Sequence, residues 1–148
     1  MSVFVPNYLD ASIILSIFMH DGLTTAASRW IETATAPIVV STWALCETAD
    51  IVRRKERERR LPADLADLLV ERMHRWSRKA GTVVEGERAD FAAAYAMVAA
   101  RNEGLRSKDA LHVAICLRLG CTFVTGDAAV SRLSGPLGLS VTFVEPTT

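Results

Sequence analysis

Hydrophobic positions along the chain fall into short, β-branched runs separated by longer stretches with helical spacing. Residues 3–9, VFVPNYL, predict a first strand, with Pro6 better suited to a strand's start or an edge strand than to a central position. Asp10 ends that run, and Ser12 is placed to cap a short helix over 13–19. Asp21 and Gly22 break the helix, after which Leu23, Ala26, Ala27, Trp30 and Ile31 share one face of a second helix ending at Ala34. A second strand, PIVVS, covers 37–41. The helix that starts after Ser41 or Thr42 carries Trp43, Ala44, Glu47, Thr48 and Ile51 before it ends in RRKERERR at 53–60. Pro62 suits a first helical turn, and Leu65, Leu68, Leu69, Met73 and Trp76 make the apolar stripe of a helix that Gly81 stops. TVVE at 82–85 is a candidate third strand, followed by an alanine-rich helix from Glu87 to Asn102.

The remainder is organised around Leu105 to Asp127, LRSKDALHVAICLRLGCTFVTGD. Ser107 is a candidate N-cap, and Asp109 falls in the first turn, where a carboxylate suits the positive end of the helix dipole. Ala110, Leu111, Val113, Ala114, Ile115 and Leu117 make this helix apolar nearly all round, which predicts burial. Gly120 ends it, 121–125 reads as a strand, and Gly126-Asp127 turns the chain at that strand's C-terminal end. A short helix over 128–133, a Gly-Pro-Leu-Gly turn and a last strand at 140–144 follow. Strands alternating with helices imply a parallel sheet covered on both faces. The expectation is an α/β fold in three layers, α/β/α, with a central, mainly parallel sheet of about four to five strands, in one domain spanning residues 1–148. The two helices between Trp43 and Ala80 have no strand between them and are expected to stand off the sheet as an insertion.

Composition narrows the class. Seventeen basic and seventeen acidic residues cancel, so nucleic-acid binding would have to come from a local patch. Apolar runs such as SIILSIF are too short to span a bilayer, and Pro6 and Asp10 interrupt what would be a signal peptide's apolar core. Cys46, Cys116 and Cys121 form no CxxC pair, which fits buried thiols in a reducing compartment. A cytoplasmic protein without membrane association is expected.

Four acids stand out by position. Asp10 follows the first strand, Glu47 lies in the helix after the second, Asp109 heads the buried helix, and Asp127 follows the next strand. Each alone has a structural explanation as a cap, turn or dipole-favoured residue, although Glu47 lies among apolar neighbours where an unpartnered carboxylate is costly. Ligands bind at the carboxyl ends of strands in open α/β sheets, where all four are expected to converge. Two like charges about 4 Å apart repel by about 4 kcal/mol at an effective dielectric of about 20, so such a cluster must protonate or take up a cation. Oxygen-only donors favour Mg²⁺ or Mn²⁺ over zinc, and these ions commonly serve phosphate chemistry. Metal-assisted phosphodiester hydrolysis is the chemistry expected.

Other residues weigh less. His112 is better explained as a satisfied histidine beside the site or in the core than as a ligand, and Asp90 as either a fifth acid or a first-turn carboxylate. The 53–60 run holds six basic and two acidic residues; a solvated face and a contact for RNA or an acidic partner weigh about equally. No P-loop, GxGxxG fingerprint or GxSxG elbow is present, and the position two after Asp10 is Ser12 rather than the aspartate of a haloacid-dehalogenase-type phosphatase.

YLDAS at 8–12, Glu47 within STWALCETAD, DALHVAICLRLG at 109–120 and FVTGD at 123–127 together resemble the PIN-domain ribonucleases, most of all the VapC-type toxins of prokaryotic toxin–antitoxin pairs. The resemblance implies that Asp10, Glu47, Asp109 and Asp127 are metal-binding, catalytic carboxylates, with Ser12 and Thr125 in support. It implies a Mg²⁺- or Mn²⁺-dependent endoribonuclease that dimerises with itself and is neutralised by a small antitoxin. Arg53, Arg54, Lys55 and Arg57 are candidates for contacting RNA or that antitoxin. The first strand's internal proline and the arginine-dense segment after Glu47 depart from the family pattern. A housekeeping RNA-processing nuclease of the same fold, or a non-catalytic RNA- or protein-binding PIN-like domain, are the alternatives.

Overall fold

In the computed structural model, which describes residues 4–146, strands β1 (Asn7–Leu9), β2 (Ile38–Ser41), β3 (Gly81–Val84), β4 (Thr122–Thr125) and β5 (Val141–Phe143) form one sheet. Its order is β3-β2-β1-β4-β5, and every pairing is parallel. Helices α1 (Ala11–Phe18), α2 (Thr24–Thr33), α3 (Thr42–Arg57), α4 (Ala63–Ala80), α5 (Arg88–Ala99), α6 (Ser107–Leu119) and α7 (Ala128–Ser134) cover it in a three-layer α/β/α arrangement. The Gly-Pro-Leu-Gly turn contains a single 3₁₀ turn, Gly135–Leu137.

The two-residue period of the strands sorts side chains between two cores. Tyr8, Val39 and Phe123 point to one face and pack with Ala94 of α5 and Ala110, Val113 and Ala114 of α6. Their neighbours Leu9, Val40 and Val124 point to the other, against Ile13 and Ile14 of α1, Ala27 of α2, Ala44 and Val52 of α3, and Leu69 and Met73 of α4. The α3–α4 pair therefore does not stand off the sheet as expected. Parallel neighbours β2 and β3 need a crossover, and α4 supplies it, burying part of its apolar stripe beneath the sheet while Leu65 and Leu68 stay exposed. The basic run occupies the C-terminal end of α3 and the turn that leads to α4.

The first strand is shorter than expected. Val3 lies outside the described residues, Phe4 and Val5 precede the strand, and β1 begins at Asn7. Because β1 is central, the ladder tolerates Pro6 only at its threshold. There the Pro6 carbonyl accepts from the Thr122 N–H at 2.8 Å, and no ladder donor is missing. At the edge of the sheet, Gly81 pairs with Ile38 so closely that a Cβ would run into the Ile38 carbonyl.

Two caps differ from expectation. Asp10, not Ser12, caps α1, its carboxylate accepting from the N–H groups of Ser12 and Ile13 at 3.0 and 3.4 Å. The N-cap of α6 is Arg106, without a side-chain bond, rather than Ser107. Gly120 ends α6 in the left-handed region at φ 66°, as its residue type predicts. Residues Asp109 through Cys116 are all buried, although Leu117 stays partly exposed. Cys116 and Cys121 are packed thiols, and burial pushes Cys116 up to about 12; Cys46, expected to be buried, is exposed.

Asp90 serves the fold rather than the acid cluster. Its carboxylate is 2% exposed, accepts from the Glu87 N–H at 2.7 Å in a capping box, and takes the Arg118 Nε–H between its two oxygens at 2.9 and 3.0 Å. This clamps the N-terminal end of α5 to the C-terminal end of α6.

Candidate functional site

Sheet topology brings the four sequence-selected acids to one place. β1 and β4 are adjacent and parallel, so the turns that follow them lie side by side, and these turns carry Asp10 and Asp127. Glu47, in α3, and Asp109, in the first turn of α6, complete the lining of a cleft of about 140 Å³ that also includes Ser12, Arg106, Lys108 and His112. This is the carboxyl edge of the sheet, where the strand termini leave a crevice.

Asp10 forms the floor. Besides capping α1, its Oδ1 accepts from the Ser12 hydroxyl at 2.5 Å and its Oδ2 from the Thr125 hydroxyl at 2.5 Å. Ser12 Oγ in turn accepts from the Gly126 N–H at 2.9 Å, and Thr125 Oγ1 from the Asp127 N–H at 3.1 Å. Ser12 and Thr125 thus tie the turn after β1 to the turn after β4 through Asp10. Burial pushes the Asp10 carboxyl above its ordinary range, an effect opposed by the two hydroxyls, by His112 and by the Ile13 N–H. Asp127 stands opposite as the N-cap of α7, accepting from the Val130 N–H at 3.1 Å.

The rim is electrostatically balanced. Glu47 Oε2 lies 3.6 Å from the Lys108 ammonium, and Asp109 Oδ2 accepts from the Arg106 Nε–H at 3.2 Å. His112, 2% exposed, contacts Glu47 Oε1 through Nε2 and the Tyr8 hydroxyl through Nδ1 at 2.6 Å. It is a satisfied histidine beside the site. Lys108 is steadied by its own carbonyl, which accepts from the Trp43 indole N–H at 3.0 Å.

The donor set is chemically suited to a hard divalent cation, being oxygen-rich with no thiolate among the cleft-lining residues. Among the described residues, however, no group of three or more His, Cys, Asp or Glu side chains is drawn together as a ready-made ion site. Cationic Lys108 and Arg106 instead offset two of the carboxylates. Those two cations are what sequence reasoning missed. The signal for Arg106 was its place three residues before Asp109, a spacing at which helical side chains meet; Lys108 pairs with Glu47 across the cleft and had no such local signal.

The basic run sits elsewhere. Arg53 is engaged by Glu56 and Asp67 at 2.8 and 2.7 Å. None of Arg53, Arg54, Lys55 or Arg57 lines the cleft, but Lys55 borders an adjoining groove with Phe18, Met19, Leu61 and Leu65. Leu15 and Ile51 line both the groove and the cleft, so the two are contiguous. No helix among the described residues is long and apolar enough to cross a membrane.

No curated protein matches the chain in sequence. Solved structures do match in fold. A VapC20 toxin from Mycobacterium tuberculosis, described as cleaving the sarcin-ricin loop, superposes with a TM-score of 0.69 at 14% identity, over 90% of this chain and 95% of that one. FitAcB from Neisseria gonorrhoeae gives 0.70 at 13% identity, over 91% and 95%. VapBC2 from Rickettsia felis, bound to a DNA fragment from its promoter, gives 0.63 at 10% identity, over 96% and 99%. A sequence model of the PIN domain matches residues 8–136, which takes in β1 through α7 and all four acids, and the chain belongs to the PIN-domain family.

Proposed function

We propose that the chain is a divalent-metal-dependent endoribonuclease, the toxin of a type II toxin–antitoxin pair, with residues 1–148 acting as one nuclease domain in the cytoplasm. The observation that carries this reading is the convergence of Asp10, Glu47, Asp109 and Asp127 on one cleft at the carboxyl edge of a parallel sheet. PIN domains are generally nucleases that use such ions, and the VapC and FitAB likenesses support the toxin assignment.

Asp10, Glu47 and Asp109 would hold the principal Mg²⁺ or Mn²⁺, with Asp127 holding a second ion or orienting the attacking water. When bound, the ion would supply activation of water and charge stabilisation at the phosphate. The protein's own contribution begins with Asp10, whose position is set by two hydroxyls and a helix N-terminus before any ion arrives. Lys108 and Arg106, both substantially exposed at the rim, supply positive charge where an RNA backbone would pass. With Glu47 and Asp109 committed to such an ion, these two side chains would be free to pair with phosphate.

Homodimerisation is part of the same reading. α5 leaves Phe91 and Tyr95 exposed by 58% and 76%, with Val98 on the same stretch and no charged residue from Phe91 to Ala100. An exposed helix that is apolar nearly all round favours a protein partner. The groove beside the cleft, largely apolar with His20, Asp21 and Lys55 in its lining, suits an antitoxin segment of apolar character.

Cleavage of a labelled RNA pool with Mn²⁺, Mg²⁺ or EDTA, beside Asp109→Asn, tests the enzyme. Metal-dependent cutting that the substitution abolishes is expected. Full activity in Asp109→Asn would remove the site assignment, and absence of both cutting and metal binding would favour an RNA- or protein-binding domain. Growth arrest on expression, relieved by the neighbouring gene's product, separates a toxin from a housekeeping nuclease.

A further inference from the structure

Behind Glu47 runs a buried chain of polar groups that cleft chemistry alone does not explain. Ser41, at the end of β2, caps α3, and its Oγ accepts from the Ala44 N–H at 3.0 Å. That same Oγ is 2.7 Å from the Tyr8 hydroxyl of β1, which is 2.6 Å from His112 Nδ1 of α6, whose Nε2 contacts Glu47 Oε1. Ser41 and Tyr8 are fully buried and His112 nearly so, whereas the Glu47 side chain is 14% exposed at the cleft. The chain leaves α3 at its N-cap and returns to α3 at Glu47 after passing through β1 and α6.

With Glu47 ionised and the His112 ring neutral, donor and acceptor capacity gives this chain one direction. An ionised carboxylate only accepts, so Nε2–H is the donor to Glu47. In the neutral ring Nδ1 then accepts, and the Tyr8 O–H donates to it. Tyr8 has spent its only proton, so its oxygen accepts from the Ser41 O–H, while Ser41 Oγ accepts from Ala44. Every buried polar atom in the sequence of bonds is satisfied, and one ring orientation and one tautomer are selected. Packing reinforces this, with the Tyr8 ring edge-on to His112 at 5.6 Å and tilted against Phe123 at 5.8 Å between centroids.

We propose that His112, oriented by Tyr8 and Ser41, is a positioning residue that aims the Glu47 carboxylate into the cleft. The inference rests on the metal-dependent reading of the site, since it assigns these residues the task of fixing one proposed ligand before an ion binds. Free of such a support, Glu47 would have, among the described residues, only the exposed Lys108 ammonium, 3.6 Å away, as a partner. Outer-shell partners that orient a ligand typically contribute about 10- to 100-fold to metal affinity.

Mn²⁺ binding would be measured for the wild type, Tyr8→Phe, Glu47→Gln, the double variant and Asp10→Asn, each full length. Tyr8→Phe keeps the packed ring and removes only the hydroxyl. It should weaken Mn²⁺ binding about tenfold or more, and should have no further effect once Glu47 is Gln. An equal loss in both backgrounds, or none in either, would overturn the proposal. Imidazole nitrogen resonances of the metal-free protein provide a second readout, in which His112 should carry a proton at Nε2 and should respond to both Tyr8→Phe and Glu47→Gln. Resonances indifferent to both substitutions would refute it independently. If neither the wild type nor Asp10→Asn takes up Mn²⁺, the nuclease reading falls, and the metal-free resonances still decide whether His112 positions Glu47.

Discussion

Replacing Arg118 by Met tests how the helix that carries Asp109 and His112 is held in place. The substitution keeps most of the aliphatic stem and removes the guanidinium that sits between the oxygens of Asp90. It also removes the bond from Nη2 to the Glu85 carbonyl at 3.1 Å, whereas the 3.3 Å pairing of Nη1 with exposed Glu87 should matter little. Stranding a buried carboxylate costs about 3–5 kcal/mol when the pair is fully enclosed. Arg118 is 26% exposed and Asp90 keeps the Glu87 N–H, so water and one remaining donor reduce the loss to about 2–3 kcal/mol. Burial raises the Asp90 carboxyl, but Arg118 and the Glu87 N–H outweigh it and hold the group below its ordinary range. A depressed native value means that the stabilisation is complete above the unfolded carboxylate range and is lost as pH falls through the native value. Urea unfolding followed by circular dichroism at pH 7 should therefore show the full difference, and the gap should narrow below about pH 4. A loss under about 0.5 kcal/mol, or a gap that widens on acidification, would refute the argument.

Two other expectations follow from single contacts. Gly81→Ala should cost about 1–3 kcal/mol of stability, seen as a lower urea midpoint, because a methyl group meets the Ile38 backbone and not a side chain that can yield; an unchanged midpoint would show that β3 shifts freely. If the chain dimerises through α5 as proposed, Tyr95→Glu should leave it a monomer in sedimentation without lowering the folded monomer's stability, because a two-fold contact there would bring each new charge close to its copy. A dimer that survives the change would place the interface elsewhere.

The local chemistry of this chain was legible from residue order. β-Branched runs, helical stripes, and Gly120 and Gly81 as stops predicted the elements, usually to within a few residues, and strand–helix alternation predicted the parallel sheet. The placement of two acids was legible for the same reason: Asp10 directly follows β1, Asp127 follows β4 with Gly126 between them, and topology sends such residues to one edge. What pattern could not decide was which surface each face meets. The α3–α4 pair looked like an insertion because no strand separates the two helices, yet the sheet beneath needed covering and took α4. Pro6 argued for an edge strand or a strand's start, and only the fold decided between them: the strand that begins one residue later is central, so Pro6 stands at its entry. Lys108 and the Ser41–Tyr8–His112 chain meet Glu47 only across elements distant in sequence, with Tyr8 and His112 separated by 104 positions. Periodicity is a property of neighbours along the chain and names the elements. Burial and charge balance belong to neighbours in space, and these settled where the elements lie and which partners the acids have.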